Sequence, residues 1–259
     1  MGGDLLELII LGSGTCVPSL RRAGPAVCLR AGGRTLLVDA AAGTLRQLVR
    51  AGVAHDQVDA VLFTHLHPDH VGEFVPFLFA MKYAPGYQRE APVTVLAARG
   101  FSAFYGHLQA AFGRWVEPGP GRLEVRELPV SGPAETELGP LRVCSGPTRH
   151  TPMSLGYRVE TPAGRSVVFS GDTDVSPELV ALAAGADIFV CECAAPEGHK
   201  VEGHLTPSEA GRMAAEAGVG RLVLTHFYPE CDAHDLVTPC ARFYDGPILV
   251  AEDFLRLAA

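Results

Sequence analysis

Three imidazoles and one carboxylate lie within six residues of one another in the segment Thr64-His65-Leu66-His67-Pro68-Asp69-His70. The apolar run Ala60-Val61-Leu62-Phe63 comes directly before it and predicts a buried strand that ends at Thr64. Residues 70–82 are apolar with helical spacing, so the cluster is expected on a turn between a strand and a helix. Such a turn lets neighbouring side chains converge on one point, which a regular strand or helix could not do for all four.

Neutral imidazole and carboxylate are the groups that Zn²⁺ and similar cations take as ligands. His65 and His67 are two residues apart, so near a strand end they point to the same side, whereas Asp69 and His70 can face a second point nearby. A solvated histidine-rich loop is the alternative interpretation, but the order H-x-H-x-D-H is hard to obtain by chance. The helical zinc signature H-E-x-x-H is absent from the sequence, which excludes that kind of metalloprotease.

This pattern after a strand resembles the metallo-β-lactamase superfamily, a group of hydrolases with two metals between two mixed β-sheets. The opening of the chain, L-G-S-G-T…P…R followed by L-L-V-D-A-A-A-G-T, is similar to the ribonuclease Z branch of that superfamily. The resemblance implies an α/β fold of the αββα sandwich type, in which helices flank two mixed sheets. A single domain over residues 1–259 also suits the length of the chain.

The resemblance implies further ligands later in the chain, and candidates occur in the expected order. His150 precedes a predicted strand over 155–161, Asp172 follows a predicted strand over 166–170, and His226 follows one over 221–225. Taken alone, His150 could be an ordinary loop histidine and Asp172 a turn residue. By resemblance, the first metal is held by His65, His67 and His150, the second by Asp69, His70 and His226, and Asp172 bridges the two.

Two residues outside this ligand set are candidates for proton transfer. Glu192 lies inside the apolar strand predicted over 187–194, where a charge is costly unless it has a partner. In ribonuclease Z-like proteins, a Glu at the end of this strand orients a His in a G-H-x-T element, and that His protonates the leaving oxygen. Glu192 and His204 match these positions, although the strand reads C-E-C where the family usually reads H-E-A. A Glu satisfied by backbone groups and a His next to a helix start are the alternative.

The resemblance implies a hydrolase in which hydroxide held by two metals attacks phosphorus while His204, oriented by Glu192, protonates the departing alkoxide. Asp69 is a catalytic candidate as well as a ligand of the second metal. Two divalent cations are therefore expected as cofactors. Nitrogen-rich ligation without a cysteine favours Zn²⁺, while Mn²⁺ or Fe would suit the same donors.

Charge and loop length limit the range of substrates that the site is expected to accept. The net charge of −8 does not favour a nucleic-acid surface, which needs clustered Lys and Arg. Ribonuclease Z holds precursor tRNA with a long arm that many members insert between the third His and the bridging Asp. Residues 150–172 leave room only for two strands and a tight turn. We therefore expect a small, cyclic nucleotide-like phosphodiester as substrate and disfavour tRNA.

Several alternatives stay open. They are a tRNA 3′-processing endoribonuclease, another metallohydrolase (arylsulfatase, lactonase or thioesterase) and a non-catalytic metal-binding module. Arg21 and Arg22, in the loop after the first strand, could reach a substrate phosphate or could form a solvated surface pair. A dinucleotide site at Gly12-Ser13-Gly14 is disfavoured because Val17 stands where the third glycine would be.

Cysteine usage and hydropathy bear on location and partners. The seven cysteines are scattered and odd in number, which favours a reducing compartment. The sequence shows no signal peptide and no apolar run of the ~18 residues that a membrane span requires, so we expect a cytoplasmic protein without a membrane partner. A stripe of aromatic and apolar residues in the helix predicted over 101–115 favours a core contact or a homodimer contact.

Overall fold

The computed structural model describes residues 6–259, in which two seven-stranded sheets pack between helices, so the predicted αββα sandwich is confirmed. The strands are β1 (Glu7–Gly12), β2 (Ala26–Ala31), β3 (Arg34–Val38), β4 (Ala60–Leu62), β5 (Val93–Ala98), β6 (Leu123–Leu128), β7 (Ala134–Leu138), β8 (Leu141–Pro147), β9 (Leu155–Glu160), β10 (Ser166–Phe169), β11 (Ile188–Glu192), β12 (Leu222–Thr225), β13 (Ile248–Val250) and β14 (Arg256–Ala258). The helices are α1 (Thr44–Arg50), α2 (Pro68–Val71), α3 (Phe74–Tyr83), α4 (Phe101–Phe112), α5 (Pro177–Ala183), α6 (Pro207–Ala217) and α7 (Val237–Ala241). Leu5, which the sequence places in the first strand, lies outside the described residues.

The two sheets are mixed and share one layer of core. The first has the strand order β14-β1-β2-β3-β4-β5-β6 and the second β13-β12-β11-β10-β9-β8-β7. Side chains alternate along β1, so Leu8 and Ile10 enter the core between the sheets, whereas Ile9 and Leu11 enter a second core under the helices. Each such buried side chain contributes about 1.5–3 kcal/mol, and burial on both faces fixes the strands whose ends carry the site.

Four strands end close together at one edge of the sandwich. The strands β10, β11 and β12 are parallel neighbours, so their carboxyl ends lie side by side. The end of β4 in the opposite sheet is tied to them, because the Leu155 N–H donates to the Thr64 carbonyl oxygen at 2.8 Å. Crevices outside the carboxyl ends of parallel strands are the usual ligand sites of such folds.

The helix expected over residues 70–82 is broken. It ends at Val71 and resumes at Phe74, because Glu73 is committed to other partners. The Glu73 N–H donates to the Ala40 carbonyl at 2.8 Å, and its carboxylate accepts from the Gly43 N–H at 2.8 Å. These bonds join the turn to the loop before α1 rather than continuing the helix.

The C-terminal segment is more ordered than expected. The sequence favours a strand over 248–251 and a short tail, whereas β14 forms in that tail and pairs antiparallel with β1. The half-buried side chains of Leu255 and Leu257 pack against the core between the sheets, which offsets the cost of ordering the tail. No helix within residues 6–259 is long and apolar enough to cross a membrane.

The aromatic stripe predicted over 101–115 divides between α4 and a 3₁₀ turn at Gly113–Val116. Phe101 is fully buried, while Phe104, Tyr105 and Leu108 pack half-buried against the core under the helices. Phe112 is exposed. The stripe is therefore mainly a core contact, and the homodimer contact stays a prediction.

Candidate metal centre and active site

The turn after β4 holds His65 in one tautomer. The backbone N–H and the hydroxyl of Thr64 both donate to the Asp39 carboxylate, each at 2.8 Å. Since the hydroxyl hydrogen points at Asp39, Thr64 Oγ1 accepts from His65 Nδ1 at 3.0 Å. The lone pair of His65 is then on Nε2, the nitrogen that faces the other imidazoles.

The first group of candidate metal ligands consists of His65, His67, His150 and Asp172. His67 Nδ1 lies 3.0 Å from His65 Nε2 and 3.1 Å from His150 Nε2, and Asp172 Oδ2 lies 3.6 Å and 3.7 Å from the same two Nε2 atoms. His150 Nδ1 donates to the Gly203 carbonyl at 3.0 Å, so its Nε2 also carries a lone pair. These donors converge on one point, as the ligands of a tetrahedral cation do.

The second group of candidate metal ligands consists of Asp69, His70 and His226, with the other oxygen of Asp172 beside them. Asp172 Oδ1 lies 3.3 Å from the Nε2 atoms of both histidines, and Asp69 Oδ2 lies 3.8 Å and 3.9 Å from them. His70 Nδ1 donates to Asp39 at 2.8 Å, which leaves Nε2 as the ligand atom. Asp172 therefore turns one oxygen toward each group, as a bridging carboxylate does.

Unsatisfied buried atoms test whether these residues suit metal ions. His70 Nε2, Asp172 Oδ1 and His226 Nε2 are buried and have no hydrogen-bond partner among the described residues. Such atoms are rare in folded proteins, because leaving a buried polar atom unpaired costs about 1–3 kcal/mol. All three point at the centre of the cluster, so the donor set fits divalent cations.

Burial keeps most of the ligand imidazoles neutral, which is the form that binds metal. It lowers the pKa of His65 to about 2 and that of His226 to about 4, and it also lowers the pKa of His150. Burial opposes ionisation of Asp172, but His226, His70 and His65 hold the pKa of this carboxyl well below its usual range. The bridging carboxylate is therefore anionic.

His70 differs from the other imidazoles. Burial would lower its pKa, but Asp172 and Asp39 outweigh that effect and raise the pKa well above the usual value. A cation in the second group would need the neutral form of His70, so cation binding and protonation compete at this ring.

A glycine permits the close approach of β4 and β10. Gly171 has a φ of +58°, and a Cβ at this position would lie 2.6 Å from Thr64 Cβ. Only glycine fits both the left-handed backbone and the missing space. The contact brings Asp172 to the turn that carries His65, which is why a G-D pair ends this strand.

Glu192 is buried and fully partnered. Its Oε1 accepts from His204 Nδ1 and from the Thr173 N–H, both at 2.9 Å, and its Oε2 accepts from the N–H groups of Ala194 and Leu205, both at 3.1 Å. The backbone bonds account for the charge in an apolar strand. They also hold the carboxylate still, so the bond to His204 fixes the plane and the tautomer of that ring.

His204 lies beside both ligand groups and keeps one nitrogen free. A ring nitrogen lies within 4.8 Å of ligand atoms of Asp172 and His226, and the ring centroid is 4.9 Å from that of His150. Burial raises the pKa of Glu192 to about 7, and Glu192 in turn raises the pKa of His204 although burial opposes it. The pair therefore holds a proton near neutral pH, which suits a general acid.

The structure gives the Arg22 guanidinium partners within the protein, which disfavours the predicted contact with a substrate phosphate. Its side chain is buried, with Nε and Nη2 each 2.9 Å from Asp232 Oδ1, and with Nη1 donating to Ser13 Oγ at 2.8 Å and to the Ala251 carbonyl at 2.7 Å. The guanidinium also lies 4.6 Å from the ring centroid of Phe227, the residue after His226. Arg22 thus supports the backbone that carries His226, and the solvated pair is excluded as well.

Arg21 is different, since more than half of its side chain is exposed. Its ion pairs with Asp232 at 3.4 Å and Glu252 at 3.6 Å lie at the surface, where such pairs contribute little. A contact between Arg21 and a substrate phosphate stays a prediction.

Replacing Arg22 tests its supporting role. Arg22→Leu is expected to lower the free energy of unfolding by about 3 kcal/mol, because it leaves Asp232 without its main partner and removes the tie to Ala251. Urea unfolding measures this loss, and metal analysis should show weaker loading of the second ligand group. Arg21→Leu, at the exposed neighbour, should stay within about 0.5 kcal/mol of the wild type. Equal losses in the two variants would contradict the role given to Arg22.

Two further residues of the site were not predicted. Asp39 orients both His65, through Thr64, and His70, and its only sequence signal was an acid at the end of an apolar strand. Tyr228 lies two residues past His226, with its ring centroid 6.1 Å from that of His204 and the ring planes at 83°. A loop residue directly after a ligand was the signal that could have found it.

Comparison with known proteins agrees with this geometry. A family model described as "Beta-lactamase superfamily domain" matches residues 34–227. The chain is 35% identical over 246 residues to a protein named Ribonuclease Z from Mycobacterium sp. (strain KMS), covering 87% of this chain and 85% of that one. The fold is similar to the metallo-beta-lactamase fold protein YhfI from Bacillus subtilis, with a TM-score of 0.84, 22% identity and coverage of 99% and 100%. It is also similar to the short form of human tRNase Z, with a TM-score of 0.79, 23% identity and coverage of 97% and 98%.

The chain belongs to the metallo-β-lactamase superfamily of hydrolases. Within that superfamily it is a ribonuclease Z-like protein, as the opening of the sequence predicts. The prediction of a hydrolytic enzyme is confirmed, and the histidine and aspartate cluster suits a divalent metal site.

Proposed function

We propose that this protein is a zinc-dependent phosphodiesterase that cleaves a small phosphodiester. The observation that carries the proposal is the hydrogen bond between Glu192 and His204 beside two groups of metal ligands. A metal centre alone would serve many hydrolases, but a fixed general acid is needed most when the leaving group is an alkoxide. The relatives named Ribonuclease Z support phosphodiester chemistry.

Different residues of this chain would have different roles in the reaction. When bound, a pair of divalent cations supplies Lewis acidity and a nucleophile at neutral pH. Asp172 and the imidazoles would hold that pair in place, and Asp69, in the second group, would also orient the reacting water. Glu192 keeps the Nδ1–H of His204 engaged, so Nε2 carries the proton that goes to the leaving oxygen. General-acid catalysis of this kind contributes about 10²–10⁴-fold.

The hairpin between His150 and Asp172 favours a small substrate. Strands β9 and β10 fill it, and the turn closes with hydrogen bonds from the Thr161 N–H to Arg165 at 2.9 Å and from the Gly164 N–H to Thr161 at 2.9 Å. No arm projects from residues 150–172. Together with the net charge of −8, this supports a substrate with few phosphates.

Processing of tRNA 3′ ends is the second candidate. It is favoured by the relatives named Ribonuclease Z, of which this chain covers 85% or more of the length. Other metallohydrolase substrates would use the same ligands. A thioester releases a thiolate and gives the His204 and Glu192 pair little role, whereas the leaving oxygen of a sulfate ester or lactone would also take a proton from it.

Substrate preference decides between these candidates. Protein reconstituted with Zn²⁺ is expected to hydrolyse bis-p-nitrophenyl phosphate and 3′,5′-cyclic AMP and to leave precursor tRNA uncut, even at low salt, where electrostatic binding is strongest. Parallel reconstitution with Mn²⁺ and Fe²⁺ tests the metal, and Zn²⁺ is expected to give the highest kcat/KM. Accurate cleavage of precursor tRNA at a higher kcat/KM than either diester would replace this proposal with the tRNA-processing one.

We further propose that the protein works in the cytoplasm and forms a homodimer. All seven cysteines are unpaired, which suits a reducing compartment. Phe79, Tyr83 and Trp115 form an exposed aromatic cluster with ring centroids 4.7–6.1 Å apart, a surface that a second copy could cover. Sedimentation at micromolar concentration would show the dimer.

A further inference from the structure

A groove of about 310 Å³ borders the metal centre on the side of His204. This volume lies within the range of about 300–1,000 Å³ that small-molecule sites occupy. None of the residues around it belongs to either ligand group. They are Ala195, Pro196, His199, Val201, Tyr228 and Glu230.

Both walls of the groove are tied to the metal centre. One wall is the loop over 195–203, whose Gly203 carbonyl accepts from the ligand His150 and whose Val201 carbonyl accepts from the His204 N–H at 3.2 Å. The other wall begins at Tyr228, whose N–H donates to the Ala194 carbonyl at 3.0 Å. A group in the groove would contact Tyr228, whose ring centroid is 6.1 Å from that of His204, the proposed proton donor. Because that donor serves the leaving group, this position is on the leaving-group side of the reaction.

Part of the groove lining is apolar. The Tyr228 ring is half-buried, and its hydroxyl makes no hydrogen bond to any residue in 6–259. Buried Pro196 and exposed Val201 complete this part of the lining. A planar ring can stack on an aromatic side chain in such a space, whatever its exact substituents.

The rest of the lining is polar and consists of His199 and Glu230. The Glu230 carboxylate forms no ion pair with the residues that the structure describes, so it can accept hydrogen bonds from an occupant. It would also repel a phosphate that continued past the cleaved bond. An uncharged ring with N–H donors suits this end, and a polynucleotide does not.

We propose that the groove binds the leaving group of the substrate, and that this group is a nucleoside whose base stacks on Tyr228 and donates to Glu230. The inference rests on the proposed phosphodiesterase function and names its substrate class. In the reaction, a water-derived hydroxyl joins phosphorus, the bond from phosphorus to the nucleoside oxygen breaks, and that oxygen takes the His204 proton. The water proton restores His204.

Two inhibitors with the same phosphate test the groove, namely AMP, which carries a base, and ribose 5-phosphate, which does not. In the hydrolysis of bis-p-nitrophenyl phosphate by zinc-loaded wild type, the inhibition constant of AMP is expected to be about 10-fold lower than that of ribose 5-phosphate. Tyr228→Ala should remove this advantage and leave the constant for ribose 5-phosphate unchanged. Tyr228→Phe should retain the advantage of AMP. Glu230→Gln should raise the inhibition constant of AMP by about threefold and leave that of ribose 5-phosphate unchanged.

The outcomes separate this inference from the proposed function. Equal inhibition by AMP and ribose 5-phosphate, or an AMP advantage that survives Tyr228→Ala, would overturn the groove assignment while leaving the phosphodiesterase intact. If the wild type hydrolyses no diester, the proposed function fails. Calorimetric titration of the same two ligands into zinc-loaded protein then decides whether the groove binds a base.

Discussion

Asp172→Asn is expected to abolish tight metal binding at both ligand groups and to lower kcat/KM for phosphodiesters by at least about 10³-fold. The substitution keeps the size of the side chain and removes its charge. Because Asp172 turns one oxygen toward each group at 3.3–3.7 Å, a single change weakens both. Metal analysis after dialysis measures the stoichiometry, and steady-state kinetics measures the activity.

Asp187→Asn is a matched control for this result. Asp187 lies just before β11, at the end of that strand opposite Glu192, where it accepts from the Ser166 N–H at 2.8 Å. It should bind as much metal as the wild type. Retention of two tightly bound metals by Asp172→Asn would show that Asp172 does not bridge the groups.

His204→Ala should lower kcat by about 10²–10⁴-fold for a diester with an alkoxide leaving group and far less for one that releases p-nitrophenolate. The difference arises because p-nitrophenolate is a stable anion and needs little protonation, whereas an alkoxide needs a proton as its bond breaks. Steady-state rates on 3′,5′-cyclic AMP and bis-p-nitrophenyl phosphate measure this ratio. Equal losses on the two substrates would mean that the ring of His204 only shapes the site.

Glu192, the carboxylate partner of His204, predicts how the activity depends on pH. Glu192 raises the pKa of His204, so the acid stays protonated, and active, to higher pH. Glu192→Gln removes that charge and lowers the pKa of His204. As the pH rises, this variant should therefore lose activity at a lower pH than the wild type. The basic limb of the kcat profile should therefore move toward acid, while Glu216→Gln, an exposed change on α6, should leave it in place. An unmoved limb in Glu192→Gln would rule out this pairing as the source of the proton.

The residues that the structure gathers into the candidate metal centre could be predicted because their signals are local. His65, His67, Asp69 and His70 follow one buried strand, and each of the later ligands also follows a strand end. Strand ends can be read from short apolar runs, and parallel strands bring their ends to one edge. The resemblance to a known superfamily then indicated which residues, in chain order, belong to each metal.

The supporting residues could not be predicted because their partners are distant in sequence. Arg22 pairs with Asp232 across 210 positions, and nothing near residue 22 indicates that its charge is buried. The break in the helix after Val71 likewise depends on a bond from Glu73 to Ala40. Pairing of β14 with β1 depends on a neighbour that lies at the other end of the chain.

The closure of the first sheet by β14 sets an order of assembly. Just before this strand, Asp253 accepts from the backbone and hydroxyl of Ser13 and from the Ala23 N–H, and the Ala251 carbonyl accepts from Arg22. A chain still emerging from the ribosome has the residues of the first ligand group well before it has these anchors. The second group, which depends on His226, can therefore reach its final form only after residues 251–258 have docked. Metal capture by the second group is in this way coupled to the docking of residues 251–258, with the first group able to load earlier than the second.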